Sequence, residues 1–203
     1  MPETIASLHP RKRPRQERSR RTCADILAAA SDIIEVKGLS ALNTNLVAER
    51  AGVSIGSLYQ YFPGKNAILA ALIREMRRDM LSDILSAVDR GKNQDLASAI
   101  GLLVDASLRH HLRHPALSEA LERAESEMPL DAETQALKSD KAALIVGVLD
   151  RLGIENPRQA AMDVFAMCHG IVHTALQAGE TDFDDLSDRL RRAVTGYLGA
   201  GTA

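Results

Sequence analysis

The chain has 203 residues, 45% of them hydrophobic and 26% charged, with a formal net charge of −2. That is the balance of a soluble protein with one sizeable domain or two small ones. No apolar run reaches the ~18 residues of a membrane span, no apolar signal-type segment opens the chain, and no alternating β-branched run reads as a strand.

Aromatics are only 3% and Trp is absent, so the core must come from Leu, Ile, Val, Ala and Met. Helix formers dominate, and the expected class is all-α, with about nine helices, in a cytoplasmic protein. Cys23 and Cys168 fall in separate helical patterns and are expected reduced and unpaired. Through Lys65 the chain carries ten Lys+Arg against six Asp+Glu, and beyond it fifteen against twenty-one. A basic first third on an acidic remainder fits a nucleic-acid-binding head joined to a body with another task.

Residues 1–17 have no periodicity and read as a disordered basic arm. Arg11, Lys12, Arg13, Arg15, Arg18, Arg20 and Arg21 run towards the head, where they can meet phosphates or the minor groove. A first helix is expected over about Arg18 to Val36, with Ile26, Leu27, Ala30, Ile33 and Ile34 on one stripe, stopped by Gly38. Leu42 to Lys65, LNTNLVAERAGVSIGSLYQYFPGK, reads as two short helices around a tight turn. Asn43 and Ser54 stand where N-caps belong, and Gly52 where a turn needs positive φ. Leu46, Val47 and Ala51 mark the inner face of the first helix, Leu58 and Phe62 that of the second. This is a helix-turn-helix whose second helix would lie in a DNA major groove.

Pro63 ends that helix, and Lys65 sits in the first turn of a long one reaching about Val88. The domain boundary is therefore expected inside a helix, with 18–64 as the head and 65–203 as a second domain. Further helices are expected over about Gln94 to Arg113, Pro115 to Glu127, Ala132 to Leu152, Pro157 to Ala178 and Asp184 to Leu198. Asp131 and Asn156 are placed as N-caps, with Pro115 and Pro157 at first helical positions. The helix over 157–178 is apolar nearly all round (Met162, Val164, Phe165, Ala166, Ile171, Val172), so it needs cover on every side. A second copy supplies that cover in a two-fold homodimer, where this helix and the last one, about 184–198, pair with their mates as a four-helix bundle.

The stretch AERAGVSIGSLYQYFPGKNAIL resembles the DNA-binding domain of the tetracycline-repressor (TetR) family of transcriptional regulators. Ala48, Ala51, Gly52, Val53, Ser54, Gly56, Leu58, Tyr59, Tyr61, Phe62 and Lys65 carry the resemblance, which covers roughly residues 18 to 70 in detail. Leu42 and Asn43 stand where family members often have a Thr pair. The resemblance implies the same two dimer helices and a cavity for a small-molecule effector that shifts the spacing of the heads. Candidate lining residues are Met76, Met80, Leu103, Ser107, Phe165 and His169.

The expected activity is sequence-specific transcriptional regulation, as a repressor released from a near-palindromic double-stranded operator by that ligand, with no enzyme activity and no cofactor. Position assigns the DNA roles. Gln60 has the amide geometry to read adenine, Ile55 can meet a thymine methyl, and Ser57 can donate to a base or phosphate. Gly56 admits close approach, Ser54 caps the recognition helix at the DNA side, and Thr44, Tyr59, Tyr61 and Lys65 hold phosphates.

Two other signals point elsewhere. Gly52-Val53-Ser54-Ile55-Gly56 matches the G-x-S-x-G elbow of serine hydrolases, which would make Ser54 a nucleophile, but the elbow needs a preceding strand and distant Asp and His. His169 with His173, and His110 with His114, have metal-ligand spacing without a clear third ligand, so no metal site is expected. A head that binds DNA without sequence preference, or serves as an interaction module, is the remaining alternative.

Overall fold

The computed structural model describes residues 17–129 and 131–199. Among them are nine α-helices, one 3-10 turn and no strand. In order these are α1 (Glu17–Lys37), the turn Leu39–Ala41, α2 (Thr44–Arg50), α3 (Ile55–Tyr61), α4 (Lys65–Gly91), α5 (Leu96–Arg113), α6 (Pro115–Glu127), α7 (Ala132–Arg151), α8 (Pro157–Gln177) and α9 (Phe183–Gly199). The expected basic arm, with Arg11, Lys12, Arg13 and Arg15, lies outside the described residues except for Glu17, which opens α1.

Local chemistry explains the helix ends of the head. Gly38, at φ 79°, donates its N–H back to the Ile34 carbonyl at 2.9 Å and closes α1. Asn43 accepts the Leu46 N–H at 2.9 Å and starts α2. Gly52, at φ 66°, makes the turn into α3, a conformation that costs a Cβ-bearing residue about 1 kcal/mol or more. Ile26, Ala30, Ile33, Ile34, Val47, Leu58 and Phe62 are all buried and form the core of this three-helix arrangement.

Packing divides the chain into two compact units. The first runs through Arg77 and takes back His114–Gln135; the second comprises Arg78–Arg113 and Ala136 onward. This differs from a division at Lys65, and specific bonds account for the difference. The Glu35 carboxylate of α1 accepts the Leu117 N–H at 2.8 Å, capping α6 where His114 supplies no side-chain cap. Arg77 of α4 forks onto the Glu125 carboxylate of α6, its Nε donating to Oε1 at 3.0 Å. Arg74 pairs with Asp131, and all four of these side chains are 9% exposed or less. Asp131 also caps α7, accepting the Thr134 N–H at 2.8 Å. Burial acts to raise its pKa, but the Thr134 amide and hydroxyl and the Arg74 guanidinium outweigh it and hold the carboxyl below its ordinary value.

In the second unit α9 packs against α5 and α8, burying Leu108, Leu149, Val172, Leu186 and Leu190. Arg191 grips Asp105 with Nε at 2.9 Å and Nη2 at 2.7 Å, and the Tyr197 hydroxyl donates to Asp163 at 2.6 Å. Pro157 is the first residue of α8 as expected, but Asn156 does not cap it. Asn156 adopts a left-handed backbone at φ 49° and its side chain makes no cap bond; Asn tolerates this region better than other side-chain-bearing residues. Of the apolar residues of α8, Ala160, Val172 and Ala175 are buried, whereas Met162 and Phe165 stand 66% and 62% exposed. No described helix is long and apolar enough to cross a membrane.

Candidate nucleic-acid interface

Helix α3 has two chemically distinct sides. Leu58 and Phe62, four residues apart and 0% and 1% exposed, face the core. Ile55 and Tyr59, 39% and 41% exposed, share the other side with Gly56 and Gln60. Ser54 starts the helix: its Oγ accepts the Ser57 N–H at 3.0 Å. The half-buried Ser57 hydroxyl lies 2.8 Å from the same oxygen, so the two serines satisfy each other.

Other elements complete the surface. The Thr44 hydroxyl at the start of α2 lies 3.1 Å from the Tyr59 hydroxyl, joining the two helices on their polar side. Tyr61 is half-buried. Lys65, in the first turn of α4, is also half-buried, and its Nζ donates to the Leu39 carbonyl at 3.3 Å. That bond ties the lysine to the 3-10 turn, a feature no local pattern announces. Arg50 at the end of α2 is paired with Asp32 of α1, a contact equally hidden in the sequence. The structure therefore brings Thr44, Ser54, Ile55, Gly56, Ser57, Tyr59 and Gln60 together and adds Lys65 through its own anchor.

Ser54 has no nucleophile-elbow setting. Gly52 and Val53 follow a helix, not a strand, and the Ser54 hydroxyl is engaged as a cap.

The six cavity candidates differ in exposure. Met76, Met80 and Leu103 are buried and Ser107 half-buried, while Phe165 and His169 are exposed on α8. Of the six, Leu103 alone lines a cavity of about 100 Å³ within the second unit. The His169 and His173 rings stack with centroids 6.0 Å apart. Among the described residues no group of three or more His, Cys, Asp or Glu is placed to hold a metal. Both cysteines are free, and burial pushes the Cys168 thiol up to about 11.

A short outward-facing helix set by a tight turn on a three-helix core defines a helix-turn-helix protein. The family model for bacterial regulatory proteins of the tetR family matches residues 26–72, and that for the tetracyclin repressor-like C-terminal domain matches residues 95–198. The chain belongs to the TetR family. It is 36% identical over 114 residues to the HTH-type transcriptional repressor KstR of Rhodococcus jostii (strain RHA1), covering 54% of this chain and 48% of that protein. The chain thus spans about half the length of the curated relatives it matches. Among solved structures, a TetR transcriptional regulator from Rhodococcus sp. RHA1 is 25% identical with a TM-score of 0.58, over 90% of this chain and 98% of that one. A protein of unknown function from the same organism, 21% identical, has the same fold at a TM-score of 0.75, over 90% and 96% of the two chains.

Proposed function

We propose that the protein is a sequence-specific DNA-binding transcriptional regulator of the cytoplasm, a repressor that a small-molecule ligand releases from its operator. The observation that carries this reading is the division of α3, with Leu58 and Phe62 locked in the core and Ile55, Gly56, Tyr59 and Gln60 turned to solvent. A helix so held offers base-reading groups on a rigid support. Gln60 reads a base edge, Ile55 meets a thymine methyl, and Gly56 lets the helix start approach the duplex. Ser54 and Ser57 shape that start, while Thr44, Tyr59, Tyr61 and Lys65 position the phosphates. The match to a protein named a transcriptional repressor supports repression.

Dimerisation through α8 and α9 supplies two heads for half-sites roughly 34–36 Å apart, or a multiple of that, on a near-palindromic operator. The exposed Met162 and Phe165 of α8 support this surface, since large apolar side chains grouped on one helix mark interaction sites. The ligand acts by preferring one spacing of the heads, and its differential affinity sets the loss of operator binding.

Selection of bound sequences from random duplex tests the reading. Gln60→Ala should then cost ~1–3 kcal/mol at one base position per half-site; equal loss on every sequence removes Gln60 from base reading. If preference over random duplex vanishes as salt rises, a non-specific DNA-binding protein replaces the regulator.

A further inference from the structure

Within the second unit, the cavity of about 100 Å³ is bounded by the end of α4, the start of α5 and the end of α7. Ala87, Ala99, Leu103 and Val148 are among its walls, and two cations, Lys92 and Arg151, also line it. Ala87, Leu103 and Val148 belong to a buried core cluster, so this side of the cavity is apolar packing. An apolar cavity of about 150 Å³ takes up benzene; this one is smaller and partly open to solvent, so it seats part of a small ring or a short chain with the rest at its rim.

The two cations differ. Lys92 is already spoken for, its Nζ donating to Asp89 at 2.7 Å. Arg151 is exposed and has no hydrogen-bond or ion-pair partner among the described residues. An arginine in the last turn of a helix ordinarily serves the terminal carbonyls. Here the carbonyls of Val148, Leu149 and Asp150 are taken by the amides of Leu152, Ile154 and Gly153, each at 3.0 Å. The Arg151 side chain, which helps line the cavity, is therefore uncommitted, and its forked donors match a carboxylate.

We propose that this cavity binds a small aryl or short-chain monocarboxylate, with its apolar body against Leu103 and Val148 and its carboxylate on Arg151. Because Asp89 neutralises Lys92, the rim accepts one negative charge. A neutral ligand forfeits the ion pair and a cation meets repulsion. The inference rests on reading the protein as ligand-responsive, and it names the class of ligand.

Benzoate, benzyl alcohol and benzylammonium, alike in ring and different in charge, are titrated into the full chain by calorimetry, with the Leu103 and Val148 methyl resonances followed by NMR. Benzoate should bind and shift both sets of methyls, and Arg151→Gln should weaken it about tenfold. Benzyl alcohol should bind more weakly and equally to both proteins, and benzylammonium not at all. No methyl shift with benzoate, unchanged affinity in Arg151→Gln, or equal binding of benzylammonium overturns the proposal. Operator binding is measured separately. If benzoate binds but DNA preference is absent, the cavity stands and the regulator reading falls; preference without benzoate binding gives the reverse.

Discussion

Gly56→Ala separates folding from DNA binding, because the two should move in opposite directions. Gly56 is the second residue of α3 and exposed, and it is not among the positive-φ glycines. A Cβ built there meets only the Ser54 Oγ, at 3.9 Å, an ordinary contact. Nothing within the chain therefore requires glycine. In a helix, Gly costs roughly 0.5–1 kcal/mol relative to Ala through backbone entropy. For a protein of this size that raises Tm by about 1–4 °C. If the start of α3 closes onto the duplex, the added methyl overpacks that contact and costs about 1–3 kcal/mol of operator affinity. Thermal melting by circular dichroism and anisotropy titration on the selected operator read the two effects. A lower Tm would show an internal need for Gly56, and an unchanged affinity would remove it from the DNA contact; either refutes the reasoning.

Three further outcomes follow from the packing. Glu125→Ala removes the carboxylate that the buried Arg77 guanidinium forks onto and should cost about 3–5 kcal/mol in chemical denaturation, whereas Arg77→Met with Glu125→Leu should lie near the parent protein; a mild single mutant would refute the burial argument. On the proposed dimer, Phe165→Glu places charge on a face of α8 that is 62% exposed at this residue in the single chain and should shift the protein to monomer in sedimentation, with Tm falling as the partner's contribution is lost; an unchanged dimer would remove Phe165 from the interface. The lowered Asp131 pKa contributes stability that is complete above the ordinary carboxylate pKa and lost as pH falls through the lower folded value. Asp131→Asn should therefore be less stable near neutrality and show a shallower acid limb, which a stability-versus-pH series checks.

What the residues determine by themselves is local. Asn43 and Ser54 each accept an amide N–H three residues on, Gly38, Gly52 and Gly179 take the positive φ their places demand, and Pro115 and Pro157 open helices. The same short-range periodicity separates Leu58 and Phe62 from Tyr59 and Gln60, so the core of the candidate interface was legible. Asn156 shows the limit: its residue type fits a cap and a left-handed turn alike, and the surrounding chain selects the turn.

Only the tertiary structure decides the rest. Arg74, Arg77 and Glu125 look like the solvated side of amphipathic helices, yet Arg74 is buried against Asp131, 57 residues on, and Arg77 against Glu125, 48 residues on. Glu35 caps a helix 82 residues away, and Lys65 turns to a carbonyl 26 residues back. The cavity lining follows the same rule, since it depends on where three helix ends meet. Caps, turns and helix faces arise from forces acting over a few residues, which a pattern records. A buried ion pair depends on two helices arriving with their charges in register, and no local pattern carries that distance.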